Sequence, residues 1–241
     1  MQPSEAIVLF LIPMILSLSV HECAHAQVAL WLGDDTAERQ GRRTLNPLPH
    51  IDIFGTILFP VLTIMGNMGG FFGWAKPVPV NPAQFRPNVN AKKGMMYVAA
   101  AGPLVSLFLA IRLFIGVQAF SSFSPLLVNL LSQVCLLNLV LALFNLLPGL
   151  PLDGGLILKA LVWQFTGSQR KGIQAATATG RFLSIFAILT GILICFRGGG
   201  LGGLWLVMLG WFGLAASRSQ GQMLALQNAL CILKVGSKCV R

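Results

Sequence analysis

Charged side chains are scarce in this sequence. Only 10% of its 241 residues are Asp, Glu, Lys or Arg, and only 7 are acidic, whereas 55% are apolar. A soluble domain of ordinary composition has about 25% charged residues. Together with a mean hydropathy of +0.76, this scarcity excludes an ordinary soluble domain and predicts a protein embedded in a lipid bilayer.

Long polar linkers and paired cysteines are missing as well. Apolar runs follow one another with only short interruptions, which favours one membrane-embedded domain over residues 1–241. Within it we expect a core at 6–155, additional helices at 181–216 and a C-terminal tail at 217–241.

The 5 cysteines form no CxxC pattern and no paired framework, so we expect free thiols. No basic segment of the signal-peptide kind precedes the first apolar run, which we expect to be retained.

The basic residues produce a net charge of +10, but they are not arranged to bind nucleic acid. They lie in short segments between the apolar runs and form neither a basic helix nor a patch with stacking aromatics. Such a distribution is typical of cytoplasmic loops in a membrane protein, which are enriched in Lys and Arg. We therefore expect a lipid bilayer, and no nucleic acid, among the partners.

The apolar runs predict an all-α integral membrane fold, a polytopic bundle of five to six transmembrane helices. A helix needs about 20 apolar residues to cross the hydrocarbon layer. The predicted spans are 6–32, 94–120, 126–148, 181–196 and 200–216.

A further apolar stretch, 54–72, is interrupted by Pro60 and three glycines, and it either crosses the membrane or enters and returns. If it returns, fifteen of the 17 Lys and Arg residues fall on one side of the membrane, which satisfies the positive-inside rule better than a crossing does. We therefore expect 54–72 to be re-entrant, lying with its flanks on the cytoplasmic side.

The run after this stretch, 72–82, combines Pro77, Pro79 and Pro82 with alternating valines. This pattern predicts an extended strand at the edge of a sheet, since proline is tolerated at an edge. An exposed edge of this kind could pair with an extended substrate.

The sequence His21-Glu22-Cys23-Ala24-His25 is an HExxH motif. Residues four apart lie on one face of a helix, so the two imidazoles can bind one zinc ion with Glu22 beside it. An isolated HExxH recurs by chance. Three ionisable groups inside an apolar span are expensive, however, and normally functional.

Catalytic zinc takes three protein ligands and keeps one position open. Asp153 is the strongest candidate for the third ligand, because it follows a segment whose prolines and glycines allow an irregular backbone. The alternative is that Asp153 caps the next helix, and on this residue alone a cap is the simpler interpretation.

Taken together, HExxH in an early span and Asn145-Leu-Leu-Pro-Gly-Leu-Pro-Leu-Asp-Gly154 (NxxPxxPxDG) after a later one resemble the site-2 protease family of intramembrane zinc metalloproteases, peptidase family M50. The resemblance covers most of the chain and includes Ala101-Gly102-Pro103-Leu104. It is to a compact form of the family, without a PDZ domain or complete CBS domains. Many members carry an Asn near the Gly-Pro pair, where this chain has Val105 and Ser106.

The resemblance implies one zinc ion per chain, held by His21, His25 and Asp153, with Glu22 as general base. It implies an endopeptidase that cleaves peptide bonds within or next to transmembrane segments of membrane-protein substrates, with an active site that opens toward the cytoplasmic face. It also favours substrate binding by Asn145. Asn138, seven residues earlier on the same helix, either binds substrate as well or forms an interhelical hydrogen bond.

Two other functions remain open at this point. A polytopic metal-binding transporter or channel would also place ionisable residues inside the membrane, although no inverted repeat is visible in the sequence. A binding protein without protease activity is the other alternative, but no catalytic position of the motifs has been lost.

Overall fold

The computed structural model describes residues 3–66, 73–120, 124–198 and 200–236, and the side chains among them at 10–66, 73–120, 124–198 and 201–219. Within these described ranges lie eight α-helices: α1 (Pro3–Trp31), α2 (Thr36–Arg39), α3 (Phe59–Met65), α4 (Ala91–Ala119), α5 (Pro125–Asn145), α6 (Asp153–Thr166), α7 (Gln169–Phe196) and α8 (Gly200–Gly236). A π-helical turn (Ile53–Leu58) and two 3₁₀ turns (Leu48–His50 and Pro82–Gln84) complete the regular structure. No β-strand occurs within these described ranges, which agrees with the predicted all-α class.

Four described helices are long and apolar enough to cross a membrane: Ala91–Ala119, Pro125–Asn145, Gln169–Phe196 and Leu201–Ser219. Helix α1, with 29 residues, also has the length for a crossing, but it carries the polar HExxH motif. Large side chains on the outer faces of these helices are exposed, among them Phe108 on α4 and Phe182 on α7. Apolar side chains facing outward are expected where the surrounding medium is lipid.

Three predicted boundaries differ from the structure. Helix α7 begins at Gln169, about three turns before the predicted start at 181, because its first turns are polar and a search for apolar runs does not find them. Helix α5 ends at Asn145 and not at 148. Helix α8 continues to Gly236, so most of the predicted tail 217–241 extends this helix.

Helix α4 is central to the bundle, since it packs against α1, α5 and α6. Its buried positions include small residues such as Gly94, Ala99 and Ser106. Small side chains let neighbouring helices approach closely. The hairpin of α7 and α8 uses the same principle: a Cβ atom added to Gly191 would lie 2.6 Å from the carbonyl oxygen of Gly203.

The predicted re-entrant stretch is described from its start to residue 66, and residues 67–72 lie outside the described part. It begins with the π-helical turn Ile53–Leu58, whose first N–H groups are capped by Asp52, and continues as α3. Together these 13 residues, Ile53–Met65, rise only about 20 Å. That length is shorter than the hydrocarbon layer of about 30 Å, so this described piece does not cross as a helix.

The segment 73–81, which follows, is neither helix nor strand. Its backbone N–H groups donate to Gly55 O from Trp74 (3.3 Å) and to His50 O from Lys76 (2.9 Å). The prediction of a strand at a sheet edge is wrong about the sheet, since no strand lies beside this segment in the described residues. Pro77 and Pro79 lack the N–H groups that a β-ladder would need at those positions.

Aromatic side chains attach this region to α8. The Trp74 ring stacks on Phe212 with centroids 4.6 Å apart, and Phe59 lies 5.4 Å from both Trp74 and Trp205. The short helix α3, the segment 73–81 and α8 therefore share one aromatic cluster, and such ring pairs contribute about 0.5–1.5 kcal/mol each beyond the area they bury.

Candidate metal centre

The two histidines of the HExxH motif lie one turn apart on α1. Their ring centroids are 4.9 Å apart and the rings are nearly perpendicular, at 77°. Both side chains are buried, His21 being 2% exposed and His25 7%. The helical period thus produces the local pair that the sequence predicts.

Asp153 reaches this pair from the start of α6. Its Oδ2 atom lies 3.1 Å from Nε2 of His21 and 3.3 Å from Nε2 of His25. Asp153 is the first residue of α6, the N-cap is Leu152, and that helix start has no side-chain cap. The carboxylate is therefore directed at the two imidazoles and does not cap the helix.

Helices α7 and α8 hold the loop that carries Asp153. The N–H of Leu150 donates to the carbonyl of Ala176 on α7 at 3.2 Å, and the Ser217 hydroxyl on α8 donates to Leu150 O at 2.9 Å. A Cβ atom on Gly180 would collide with the backbone of Leu150. The helices outside the predicted core at 6–155 thus contribute to placing the carboxylate.

One face of α4 completes the shell around the histidines. Nδ1 of His25 lies 2.7 Å from the carbonyl of Val98, and Nδ1 of His21 lies 2.9 Å from Oγ of Ser106. Because a carbonyl can only accept, Nδ1 of His25 carries a proton, and in the neutral imidazole the lone pair of Nε2 is then available to a metal ion. The Ser106 hydroxyl can accept from His21 in the same manner, and such outer partners fix the orientation of metal-binding histidines.

Gly102 lies between these two partners, one turn from each. A Cβ atom at this position would overlap the imidazoles of both His21 and His25. The close approach of α4 to α1 at the site therefore requires glycine.

The donor set matches zinc in chemistry and in spacing. One Nε2 atom from each histidine and one carboxylate oxygen lie within 4.8 Å of one another. Donors bound at 2.0–2.2 Å to one tetrahedral ion lie roughly 3.4 Å apart, close to the two distances from Asp153 Oδ2. Three protein ligands leave a fourth position open, as in catalytic zinc sites.

Glu22 lies next to this donor set and contacts the segment 73–81. Its Oε2 atom accepts a hydrogen bond from the N–H of Val78 at 3.3 Å. The side chain is partly exposed, so the carboxylate is available on the side of the site where the extended segment passes.

The two asparagines on α5 have different environments. Asn138 is 1% exposed and donates to Oγ of Ser17 on α1 and to the carbonyl of Val134, both at 2.9 Å. The bond to Ser17 is the contact of the interhelical alternative, whereas the bond to Val134 lies within α5. Substrate binding by Asn138 stays a prediction. Asn145, in the last turn, is partly exposed and donates to the carbonyl of Leu141 at 2.9 Å.

The described residues contain one group of three or more metal-binding side chains, the set of His21, His25 and Asp153. The second metal layer that a transporter would need is thus not found in that part of the chain.

The roles of Val98 and Ser106 as partners of the two histidines were not found from the sequence alone. Val98, Gly102 and Ser106 are spaced four residues apart and therefore lie on one face of α4. Counting four residues back and four residues forward from Gly102 identifies both partners, because residues four apart share one face of a helix.

Comparisons with known proteins identify relatives. Residues 121–188 match Peptidase family M50. The "Putative zinc metalloprotease YwhC" of Bacillus subtilis is 45% identical over 159 residues, which cover 63% of this chain and 68% of that protein. The "Putative zinc metalloprotease sll0528" of Synechocystis is 44% identical over 118 residues, which cover 48% of this chain but only 30% of that protein.

A solved structure has a similar fold. The site-2 protease from Methanocaldococcus jannaschii superimposes with a TM-score of 0.50 and 23% sequence identity, over 87% of this chain and 76% of that chain. At this identity the likeness is one of fold alone.

Proposed function

Since the chain belongs to peptidase family M50, the site-2 protease family of membrane zinc metalloproteases, we propose that it hydrolyses peptide bonds within or next to the transmembrane segments of other membrane proteins. The observation that carries this proposal is the convergence of His21, His25 and Asp153 within 4.8 Å, among helices long and apolar enough to span a bilayer. Ionisable groups inside a membrane-spanning bundle are expensive and normally functional.

His21, His25 and Asp153 are the proposed ligands of a single zinc ion. Two observations support this assignment. The three donor atoms have the spacing expected around one tetrahedral zinc ion, and hydrogen-bonding partners hold each imidazole with its Nε2 toward Asp153. A bound zinc ion supplies a Lewis acid that polarises the scissile carbonyl and acidifies water.

Glu22 is the proposed general base. Its carboxylate takes the proton of the attacking water and transfers it to the nitrogen of the leaving amide. The hydrogen bond from Val78 to Oε2 supports this role, because it holds the carboxylate where the segment 73–81 passes the donor set.

The substrate chain has to be extended where it is cleaved, because the peptide groups of a helix are already hydrogen-bonded to one another. The non-helical segment 73–81 offers a backbone beside Glu22 along which an unwound substrate can lie. Asn145, whose side chain is partly exposed at the end of α5, is proposed to bind the substrate backbone. Helix-weakening residues near the cleaved bond should therefore promote cleavage.

The active site is proposed to open toward the cytoplasm. The support is the excess of Lys and Arg in 33–93, 149–181 and 217–241 and the short length of Ile53–Met65. Single cysteines at Gln40 and Asn88, on a background without native cysteines, should both react with an impermeant maleimide from the cytoplasmic side only. Labelling of the two from opposite sides would mean that 54–72 crosses the membrane.

Proteolysis is tested directly by incubating the purified chain in detergent with single-pass membrane proteins, with and without a zinc chelator. We expect one or more to be cut in or beside the transmembrane segment. The cut should be lost with the chelator and restored by added zinc. Chelator-insensitive cleavage, or cleavage confined to soluble domains, would contradict the proposal.

A further inference from the structure

A cavity of about 290 Å³ lies beside the metal centre, between the starts of α4 and α7 and the middle of α6. Since a water molecule takes about 30 Å³ in the liquid, the cavity is large enough for a side chain and its hydration. Its lining combines apolar residues, among them Met95, Leu156 and Trp163, with one basic residue, Lys159. The Lys92 ammonium lies 5.5 Å from the centroid of the Trp163 ring.

The cavity is one helical turn away from the donor set on two helices. Leu156 follows Asp153 by three residues on α6, and Met95 precedes Val98, the partner of His25, by three residues on α4. A rise of 1.5 Å per residue makes each separation only about 5 Å along the helix axis. An occupant of the cavity would therefore lie next to the catalytic groups.

The segment 73–81 connects Glu22 with this cavity. Val78 donates to the Glu22 carboxylate, and the chain continues to Pro82 and Ala83, which line the cavity. Four residues of extended chain cover about 13 Å. A substrate lying along the segment with its scissile bond at Glu22 would therefore bring a residue about four positions away to the cavity.

The electrostatics of the cavity favour an anion. Among the described residues that line it, none is acidic. Burial lowers the pKa of the Lys159 ammonium, because the charged form loses hydration, and an adjacent carboxylate would favour the charged form again. The first residues of α4 and α7, Ala91 and Gln169, also line the cavity, so the positive ends of two helix dipoles lie at its wall.

We propose that this cavity is a substrate subsite that binds an acidic side chain, preferably Glu, about four residues from the scissile bond, with its carboxylate on Lys159 and its apolar stem against Leu156 and Trp163. The inference rests on the proposed proteolytic function. A lipid headgroup is the competing occupant, but the continuity with the segment beside Glu22 favours the substrate chain.

The test uses the full chain with zinc, reconstituted in phosphatidylcholine nanodiscs. The substrate is a single transmembrane segment that the chain cleaves, carrying Glu or Gln at each position from two to six residues on either side of the cut. We expect Glu to be cleaved about tenfold faster than Gln at one position near four. With Lys159→Met that ratio should fall to about one, and with Lys159→Glu a Lys substrate should be preferred at the same position.

The matched control is Lys171→Met, which removes the same charge from an exposed position near the start of α7 and should retain the preference for Glu. Binding of the Glu and Gln segments to zinc-loaded Glu22→Gln protein, measured by fluorescence anisotropy, reports the subsite without cleavage. If both segments bind or are cleaved equally at every position, the subsite is disproved while the protease function stands. If adding phosphatidylglycerol abolishes the preference, and Lys159→Met reduces the phosphatidylglycerol bound, the cavity is a lipid site and the inference is overturned.

Discussion

The hydroxyl of Ser106 on α4 lies 2.9 Å from Nδ1 of His21 on α1. Ser106 is four residues beyond Gly102, near the place where many members of the family that the chain resembles carry an Asn. A hydroxyl can accept from the imidazole N–H just as an amide oxygen does. The chain therefore has an outer partner for His21 on α4.

We predict that Ser106→Ala lowers zinc affinity by about 10- to 100-fold, the usual effect of removing an outer partner of a metal-binding histidine. Ser106→Thr keeps the hydroxyl and should remain close to wild type. Competition with a chromogenic chelator measures both affinities. Equal affinities for the Ala variant and the wild type would show that the hydrogen bond does not orient His21.

Gly102→Ala should abolish stoichiometric zinc binding, because the added methyl group would overlap both imidazoles. The matched control, Gly116→Ala, changes a glycine in the same helix, where the nearest atom would be Leu131 Cδ1 at an ordinary 3.8 Å. That variant should bind zinc as the wild type does. Its free energy of unfolding should rise by up to about 1 kcal/mol, because Ala favours a helix more than Gly does. Elemental analysis of the two purified variants measures their zinc content. One zinc per chain in Gly102→Ala would contradict the packing described for α1 and α4.

Asp153→Ala should lower the zinc content, because it removes one of three ligands. Ser168→Ala is the control for a loss of stability at a helix N-terminus that is unrelated to the metal. Ser168 is the N-cap of α7 and accepts a hydrogen bond from the N–H of Lys171. Losing that cap costs about 0.5–2 kcal/mol of stability and should leave the zinc content unchanged. If Asp153→Ala retains one zinc per chain, the carboxylate is not a ligand.

Asn138 and Ser17 should be energetically coupled, since the amide donates to the hydroxyl between α5 and α1. Hydrogen bonds of this kind in membrane proteins contribute about 0.6 kcal/mol on average. A double-mutant cycle of Asn138→Ala and Ser17→Ala, read by unfolding in detergent, should show coupling of that order, with little change in the KM for substrate. A large rise in KM for Asn138→Ala alone would instead support its predicted role in substrate binding.

The sequence predicts the site residues that are close together along the chain better than those that lie on other helices. His21, Glu22 and His25 are close because of the helical period alone, which can be read without a structure. Asp153 lies on another helix, so its approach depends on the loop held by Ala176 and Ser217. The residues alone left a ligand and a helix cap as alternatives, and the family resemblance favoured the ligand. The partners on α4 depend on which face of that helix meets α1, and apolar composition does not determine this face.

The same distinction explains the errors in the fold. Apolar runs locate the middle of α4, α5 and α8 well, since crossing a bilayer demands them. The polar first turns of α7 are supported by packing against α6, and a hydropathy search does not include that contribution. The prolines and alternating valines of 72–82 predict an extended run, but what lies beside its described part, 73–81, depends on tertiary contacts to Gly55, His50 and Glu22.

The most direct measurement is the cleavage rate of Glu22→Gln protein whose zinc content has been determined on the same sample. Gln keeps the size of the side chain and loses the base. We therefore predict one zinc per chain and a rate about 10²- to 10⁴-fold lower than that of the wild type on the same substrate. Cleavage at the wild-type rate by the zinc-loaded variant would contradict the account.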